Sequence, residues 1–343
     1  TTRQVWQKYF RGIRHVCRVM PRRRSLAVCR ALLPLLAGRQ GAASCVEAHG
    51  GQCRAGGAAR DGNSVAVGDA VGSGVSSFSA GLVVLDPGER LRQVLPLSYV
   101  HVPKCGSSFI VSLRRLPGVC PGQLRLEEVA PHENLTGMCP GLTNNLAHEG
   151  FGSQYETFRG HLMVMLRQPE QRILSGYHTV DASGHQPHGW CYLFGVKVPD
   201  LVTYAKVVQG AAVKYFTRGG KEGEDGHGFH CDHRPATAAD AHLAARRLRE
   251  GAAFVGLREE WPLSICLLHA MFGGECHESE MRDWHPGLKH SSQPYGTAAL
   301  QGFRDPLDGR LYEEAVRIFR ENLDAFNVSP ASCEPCFRRA GLV

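Results

Sequence analysis

Lys104 stands directly before Cys105-Gly106-Ser107-Ser108-Phe109, and Arg167 opens the run Arg167-Gln168-Pro169-Glu170-Gln171-Arg172-Ile173-Leu174-Ser175-Gly176-Tyr177. An ammonium beside a turn of small residues suits an anion, because the turn presents backbone N–H groups and the lysine reaches the same oxygens. A guanidinium offers a planar fork of donors matched to a phosphate dianion. Ser175, about two helical turns beyond Arg167, adds a hydroxyl donor. The chain therefore carries two anion-binding points of different kinds, a loop with a lysine and a helix start with an arginine.

The segments around them are of the type that positions such groups. A β-prone run (Leu97, Tyr99, Val100, Val102) enters the first motif, and Phe109, Ile110, Leu113 and Leu116 recur on one helical face behind it until Pro117. Leu162-Met163-Val164-Met165-Leu166 is a continuous apolar run, as expected of a strand buried on both faces, and it leads straight into Arg167. Pro169 suits the first turn of a helix. Each motif thus sits at the C-terminal end of an apolar strand. The plain alternatives are a Ser/Gly turn without a ligand for the first and a solvated helix start for Arg167 and Arg172.

The order of residues differs from the common nucleotide loop. In G-x-x-x-x-G-K-[ST] the lysine follows the second glycine and adjoins a hydroxyl that holds Mg²⁺, whereas Lys104 precedes the single Gly106. Pro103-Lys104-Cys105-Gly106-Ser107-Ser108-Phe109 resembles the 5′-phosphosulfate loop of sulfotransferases that use 3′-phosphoadenosine 5′-phosphosulfate (PAPS). The pattern R-x-P-x-x-R-x-x-S-x-Y over residues 167–177 is similar to the 3′-phosphate site of the same family. The run F-V-G-L-x-E-x-W-x-x-S-x-C-L-x-H-x-M-F-G-G over residues 254–274 resembles the late strand and helix of Golgi-type carbohydrate sulfotransferases and their protist relatives, and is read as core packing. The likeness covers roughly residues 97–326.

This resemblance implies an α/β, three-layer P-loop-like fold with a mainly parallel central sheet flanked by helices. It implies transfer of a sulfuryl group from PAPS to a carbohydrate hydroxyl, with no metal. The donor site would comprise Lys104, Cys105, Gly106, Ser107, Ser108, Phe109, Arg167 and Ser175, with Lys104 also stabilising charge on the leaving phosphate. Relatives acting on uronic-acid glycans carry a histidine roughly twenty residues before the 3′-phosphate arginine, and His148 lies nineteen before Arg167. His148 is the preferred base, with Glu149 and His161 as alternatives. Lys214 resembles a basic position near acceptor or donor, and Lys289, His290, Ser291 and Ser292 resemble a late basic loop closing over the nucleotide. Two other classes stay open: a P-loop-type phosphotransferase (kinase), and a non-catalytic secreted glycan-binding protein on the same scaffold.

Composition agrees with an anionic partner. The 343 residues carry a formal charge of +7 and seventeen histidines. An acidic glycan fits that balance; no aromatic-interleaved basic stripe points to nucleic acid. Thirteen cysteines suggest an oxidising compartment with several disulfides. Cys105 is the expected free thiol, Cys120–Cys139 and Cys191–Cys231 are plausible bridges, and Cys333-x-x-Cys336 forms a terminal pair. Asn134-Leu135-Thr136 and Asn327-Val328-Ser329 are glycosylation sequons. His227, His230, Cys231, Asp232 and His233 have zinc-ligand types but irregular spacing, and a loop over the acceptor reads better.

Three regions follow. Basic Pro21-Arg22-Arg23-Arg24 and the apolar Leu26 to Ala37 read as a signal peptide or single membrane anchor, directing the chain to the secretory pathway and the Golgi lumen. Residues 38–92, rich in Gly, Ala and Ser, read as a flexible stem. From about Gln93 strand and helix patterns alternate to about residue 327, the signature of a mainly parallel sheet with covering helices.

Overall fold

The computed structural model describes residues 85–121, 139–144, 148, 150–179, 198, 200–220, 234–282 and 295–343. All belong to the unit Ser76–Val343; the unit Thr1–Val75 lies outside them. Also outside are the targeting segment, most of the stem, Asn134, Glu149, the Cys191–Cys231 pair and the loops 227–233 and 289–292.

Residues 87–92, placed in the stem by composition, are helical. Asp86 accepts from the N–H groups of Gly88 and Glu89, at 2.9 and 3.4 Å, and Pro87 opens helix α1 (Pro87–Val94). The stem reading to residue 92 is corrected accordingly: a capped helix that buries Leu91 needs only one apolar face, which a composition average hides.

Four parallel strands form the sheet in the order β2 (Leu142–Asn144), β1 (Leu97–Val100), β4 (Leu162–Leu166), β6 (Ala252–Leu257). A separate antiparallel pair joins β3 (Gly150–Phe151) to β5 (Gly219–Gly220). All five residues of β4 are buried, as its unbroken apolar run predicts. Each such side chain contributes about 1.5–3 kcal/mol relative to an exposed one. The α/β class with a parallel sheet flanked by helices is therefore observed.

Helix α2 (Phe109–Arg115) follows β1, and α3 (Tyr155–Phe158) precedes β4. Helix α4 (Pro169–Tyr177) follows β4 and is succeeded by α5 (Leu201–Val207) and α6 (Ala211–Thr217). Helix α7 (Ala238–Gly251), held by a Thr237/Asp240 capping box, leads into β6. After a 3-10 turn (Arg258–Glu260) come α8 (Trp261–Phe272), α9 (Glu278–Met281), α10 (Pro306–Ala325) and α11 (Glu334–Arg339). Helix α10 is longer than its apolar stripe suggests because Asp305 caps it and Pro306 starts it.

Disulfides join Cys120 to Cys139, Cys266 to Cys333 and Cys276 to Cys336. The first was expected. The other two show that Cys333 and Cys336 bond away from each other and tie the C-terminal α11 to α8 and the segment behind it. Cys105 is free and buried. These bridges among the described residues indicate an oxidising, secreted-type environment. Among the described residues no helix is long and apolar enough to cross a membrane.

Candidate functional site

The strand order places one position apart from the rest. From β1 the chain moves to β2 on one side of it, then returns to β4 on the other, so the connections diverge between β1 and β4. In open parallel sheets the crevice beyond the carboxyl ends of two such strands is the usual ligand position. The segment 101–109 leaves β1 there and Arg167 leaves β4 there.

The loop is shaped by two left-handed residues. Lys104 has φ 67° and Gly106 has φ 100°. A lysine in this region is uncommon and mildly strained, a condition that persists where surrounding structure enforces it. Three bonds do so: Cys105 N–H donates to the Val102 carbonyl at 3.3 Å, Tyr99 Oη to the Gly106 carbonyl at 3.4 Å, and Arg167 Nη1 to the Lys104 carbonyl at 3.4 Å. A Cβ on Gly106 would lie 2.7 Å from Trp261 Cζ3 and 3.2 Å from Arg258 Cδ, so only glycine fits.

The N–H groups do not all face outward. Phe109 N–H donates to the Gly106 carbonyl at 3.0 Å and begins the turn into α2, so its expected part in anion binding is corrected: the helical turn already uses it. The N–H groups of Gly106 and Ser107 donate to nothing among the described residues. Cys105 contributes backbone only. Its thiol is buried and pushed up to about 12, by loss of solvation first, while the nearby Arg172 and Arg167 pull the other way. It is an inert thiol at neutral pH.

Arg167 is held by Tyr295 and Glu259, which lie outside its own motif, through two glutamines within it. Gln168 caps α4, its Oε1 accepting from Gln171 N–H at 2.8 Å. Gln171 Nε2 donates to the Tyr295 carbonyl at 2.9 Å and Gln171 Oε1 accepts from Tyr295 N–H at 2.7 Å. That pairing sets the Tyr295 ring 5.6 Å from the Arg167 guanidinium. Glu259 lies 3.9 Å from Arg167 Nε, accepts from Gln168 N–H at 3.1 Å and from Tyr312 Oη at 3.1 Å. Burial, and then the charge of Arg258, lower the Arg167 pKa. Arg167 therefore sits desolvated beside a like charge, a setting that an anion relieves.

The two arginines of the second motif have separate fates. Arg172 points into the interior, where Nη2 donates to Asp308 Oδ2 at 2.8 Å and to the Val208 carbonyl at 3.1 Å, with Asp305 at 3.9 Å. Asp308 also accepts from Ala212 and Val213 N–H at the start of α6. The solvated-helix alternative is thus corrected for Arg172, which is buried against two acids that lie more than a hundred residues away. Ser175 is half-buried on α4, and no contact joins it to Lys104 or Arg167 among the described residues.

The candidate bases divide clearly. The His148 ring lies 4.2 Å from that of His101, which stacks on Tyr99 at 5.2 Å. His148 is therefore joined to the chain that enters the loop. His161 lies at the opposite, N-terminal end of β4, where Nδ1–H donates to the Val94 carbonyl at 2.9 Å, and so is removed from the set. Lys214 is buried on α6 and lines a cavity of about 330 Å³ with Lys206, Gln209 and Leu307; no residue of the loop or second motif lines it.

Three site residues escape a motif reading: His101, Tyr295 and Arg258. Only Arg258 carried a usable signal, because it follows an apolar strand just as Arg167 does. No protein-family model, no curated protein and no solved structure matches the chain.

Proposed function

We propose that this chain is a PAPS-dependent sulfotransferase with a P-loop-like three-layer fold, acting on a carbohydrate hydroxyl in the Golgi lumen. One observation carries the reading. The loop 103–109 and Arg167 occupy the ends of the two strands that flank the switch point, bridged by the Arg167 to Lys104 carbonyl bond. Two anion-binding groups of different kinds at neighbouring strand ends support a reading of one ligand with two anionic groups, as in a nucleotide phosphorylated at its 3′ position and sulfated through its 5′ phosphate.

Each residue then has a task. Lys104 and the N–H groups of Gly106 and Ser107 grip the 5′ phosphosulfate, and Lys104 neutralises charge that builds on the bridging oxygen as the sulfur–oxygen bond breaks. Arg167, with Ser175, holds the 3′-phosphate and thereby fixes the nucleotide in line. His148 takes the proton of the acceptor hydroxyl while that oxygen bonds to sulfur. The products are the sulfate ester, adenosine 3′,5′-bisphosphate and a protonated histidine that returns its proton to solvent. The +7 charge favours an acidic glycan acceptor.

The test is transfer of labelled sulfate from PAPS across a panel of glycans. Lys104→Ala should slow transfer about a hundredfold or more. His148→Ala should slow it comparably while leaving adenosine 3′,5′-bisphosphate affinity unchanged. Full activity of the His148 variant removes the base assignment. Equal nucleotide affinity of the wild type and a Lys104→Ala/Arg167→Ala double variant removes the donor assignment. Mg²⁺-dependent labelling of the acceptor from ATP favours the kinase class instead.

A further inference from the structure

Strands β4 and β6 are paired so that Leu166 faces Leu257 across the ladder. Arg167 and Arg258 are the next residues on each, so they leave neighbouring strands at the same level, with backbones about 4.8 Å apart in the pairing direction. Ser264 fixes the point where β6 stops: its hydroxyl accepts from Leu257 N–H at 2.9 Å and donates to the Leu257 carbonyl at 3.1 Å. Chain that has to turn there delivers Arg258 to the crevice already described.

Both guanidiniums are pinned in the same manner. Arg167 lies over Tyr295, and Arg258 lies 5.3 Å from the Trp261 ring. The Trp261 ring is itself anchored, its Nε1–H donating to the Glu280 carbonyl at 2.8 Å. The Arg258 stem packs on the bare face of Gly106, within 3.2 Å of where a Cβ would stand. Among the described residues Glu259 is the acid paired with Arg167, at 3.9 Å, and it is already engaged by Gln168 N–H and Tyr312 Oη. Two half-buried cations with one committed counter-charge among the described residues form an arrangement that a dianion completes.

We propose that Arg258 is a binding residue of the donor site, forming with Arg167 a paired-guanidinium clamp on one phosphate-type dianion. This deepens the sulfotransferase reading and rests on it for the identity of the ligand, while the clamp itself follows from strand register. Arg258 supplies the second fork that a dianion with three free oxygens can accept, and its charge adds to burial in disfavouring the Arg167 cation when no anion is bound.

The experiment is calorimetric titration of adenosine 3′,5′-bisphosphate and, separately, inorganic sulfate. The variants are Arg258→Ala, Arg258→Gln, Arg258→Lys, Arg167→Ala and the Arg167→Ala/Arg258→Ala double. Loss of Arg258 should weaken nucleotide binding about ten- to hundredfold, the value of one charge-assisted donor. Arg258→Lys should restore part of it. The double variant should lose less than the product of the single losses, because the two groups share one ion. Arg258→Gln keeps the stem over Gly106, and its ligand-free unfolding midpoint should be unchanged or raised once the like-charge repulsion is gone. Unchanged affinity in Arg258→Gln, or single losses that simply multiply, overturns the clamp. Arg258-dependent binding of sulfate without nucleotide binding keeps the clamp and overturns the PAPS reading. Binding of neither probe by the wild type overturns both.

Discussion

Arg172 donates to Asp308 at 2.8 Å in a region where the arginine is 1% exposed and the acid 2%. The bond joins α4 to α10, and Asp308 in turn satisfies the first N–H groups of α6. One ion pair therefore holds three helices together. Asp305 extends it, accepting from Gly210 N–H at 2.9 Å.

Removing one member of such a pair leaves a buried charge without compensation. Arg172→Ala should destabilise the protein by about 3–5 kcal/mol, read as a lower urea midpoint. Arg167→Ala, at the rim, should shift that midpoint far less and instead weaken anion affinity about ten- to hundredfold. Equal destabilisation by the two would show that the division between a structural and a binding arginine is wrong.

Asp305 provides a pH signature. Burial, and next the neighbouring Asp308 charge, push its pKa up to about 7, from an ordinary value near 3.8. Between those values the folded chain binds a proton that the unfolded chain has released, so stability is highest at the acidic side and falls as pH rises toward 7. Urea midpoints across this window should decline for the wild type, and the slope should flatten in Asp305→Asn. A wild-type slope of opposite sign, or one that Asn leaves intact, refutes the assignment.

Gly106 is the tightest point of the loop. Its φ of 100° and the 2.7 Å approach of Trp261 leave no room for a methyl group. Gly106→Ala should cost about 1–3 kcal/mol in stability, from backbone strain and displacement of Trp261. Nucleotide affinity should fall with it. Thermal unfolding monitored by near-UV circular dichroism, sensitive to Trp261, checks both effects.

The disulfide from Cys266 to Cys333 closes a loop of 67 residues. Taken alone, a loop of that size is worth about 4 kcal/mol, the freedom that its closure removes from the unfolded chain. The Cys276–Cys336 bridge spans much the same chain, so replacing Cys266 and Cys333 while it remains should cost less than that, and the full increment should appear only when the second bridge is removed as well. Additive losses in denaturant titrations would indicate that the two bridges constrain independent loops.

Much of the site was legible because its signals are local. The apolar run 162–166 has no polar residue to place outward, which specifies a strand buried on both sides. Lys104 and Gly106 stand next to a helix whose apolar face is periodic, which marks a turn between strand and helix. Pro169 and Gln168 mark the start of α4 within a single turn. The disulfide from Cys120 to Cys139 belongs to the same class, since its partners are only 19 residues apart.

Tertiary structure alone determined the rest. Arg167 and Arg172 sit five residues apart in one motif, and nothing in their spacing tells which turns inward. The answer depends on Asp305 and Asp308 arriving from α10. Tyr295 reaches Arg167 across 128 positions of sequence, and His148 finds His101 only because β1 ends beside it. Arg258 becomes a partner of Arg167 through the register of β4 on β6, a relation between two strands that neither strand encodes by itself. Apolar periodicity and turn chemistry act over a few residues and so determine elements and loops. The charge balance of the crevice arises where distant strand ends meet, and that meeting is set by the order of strands in the sheet.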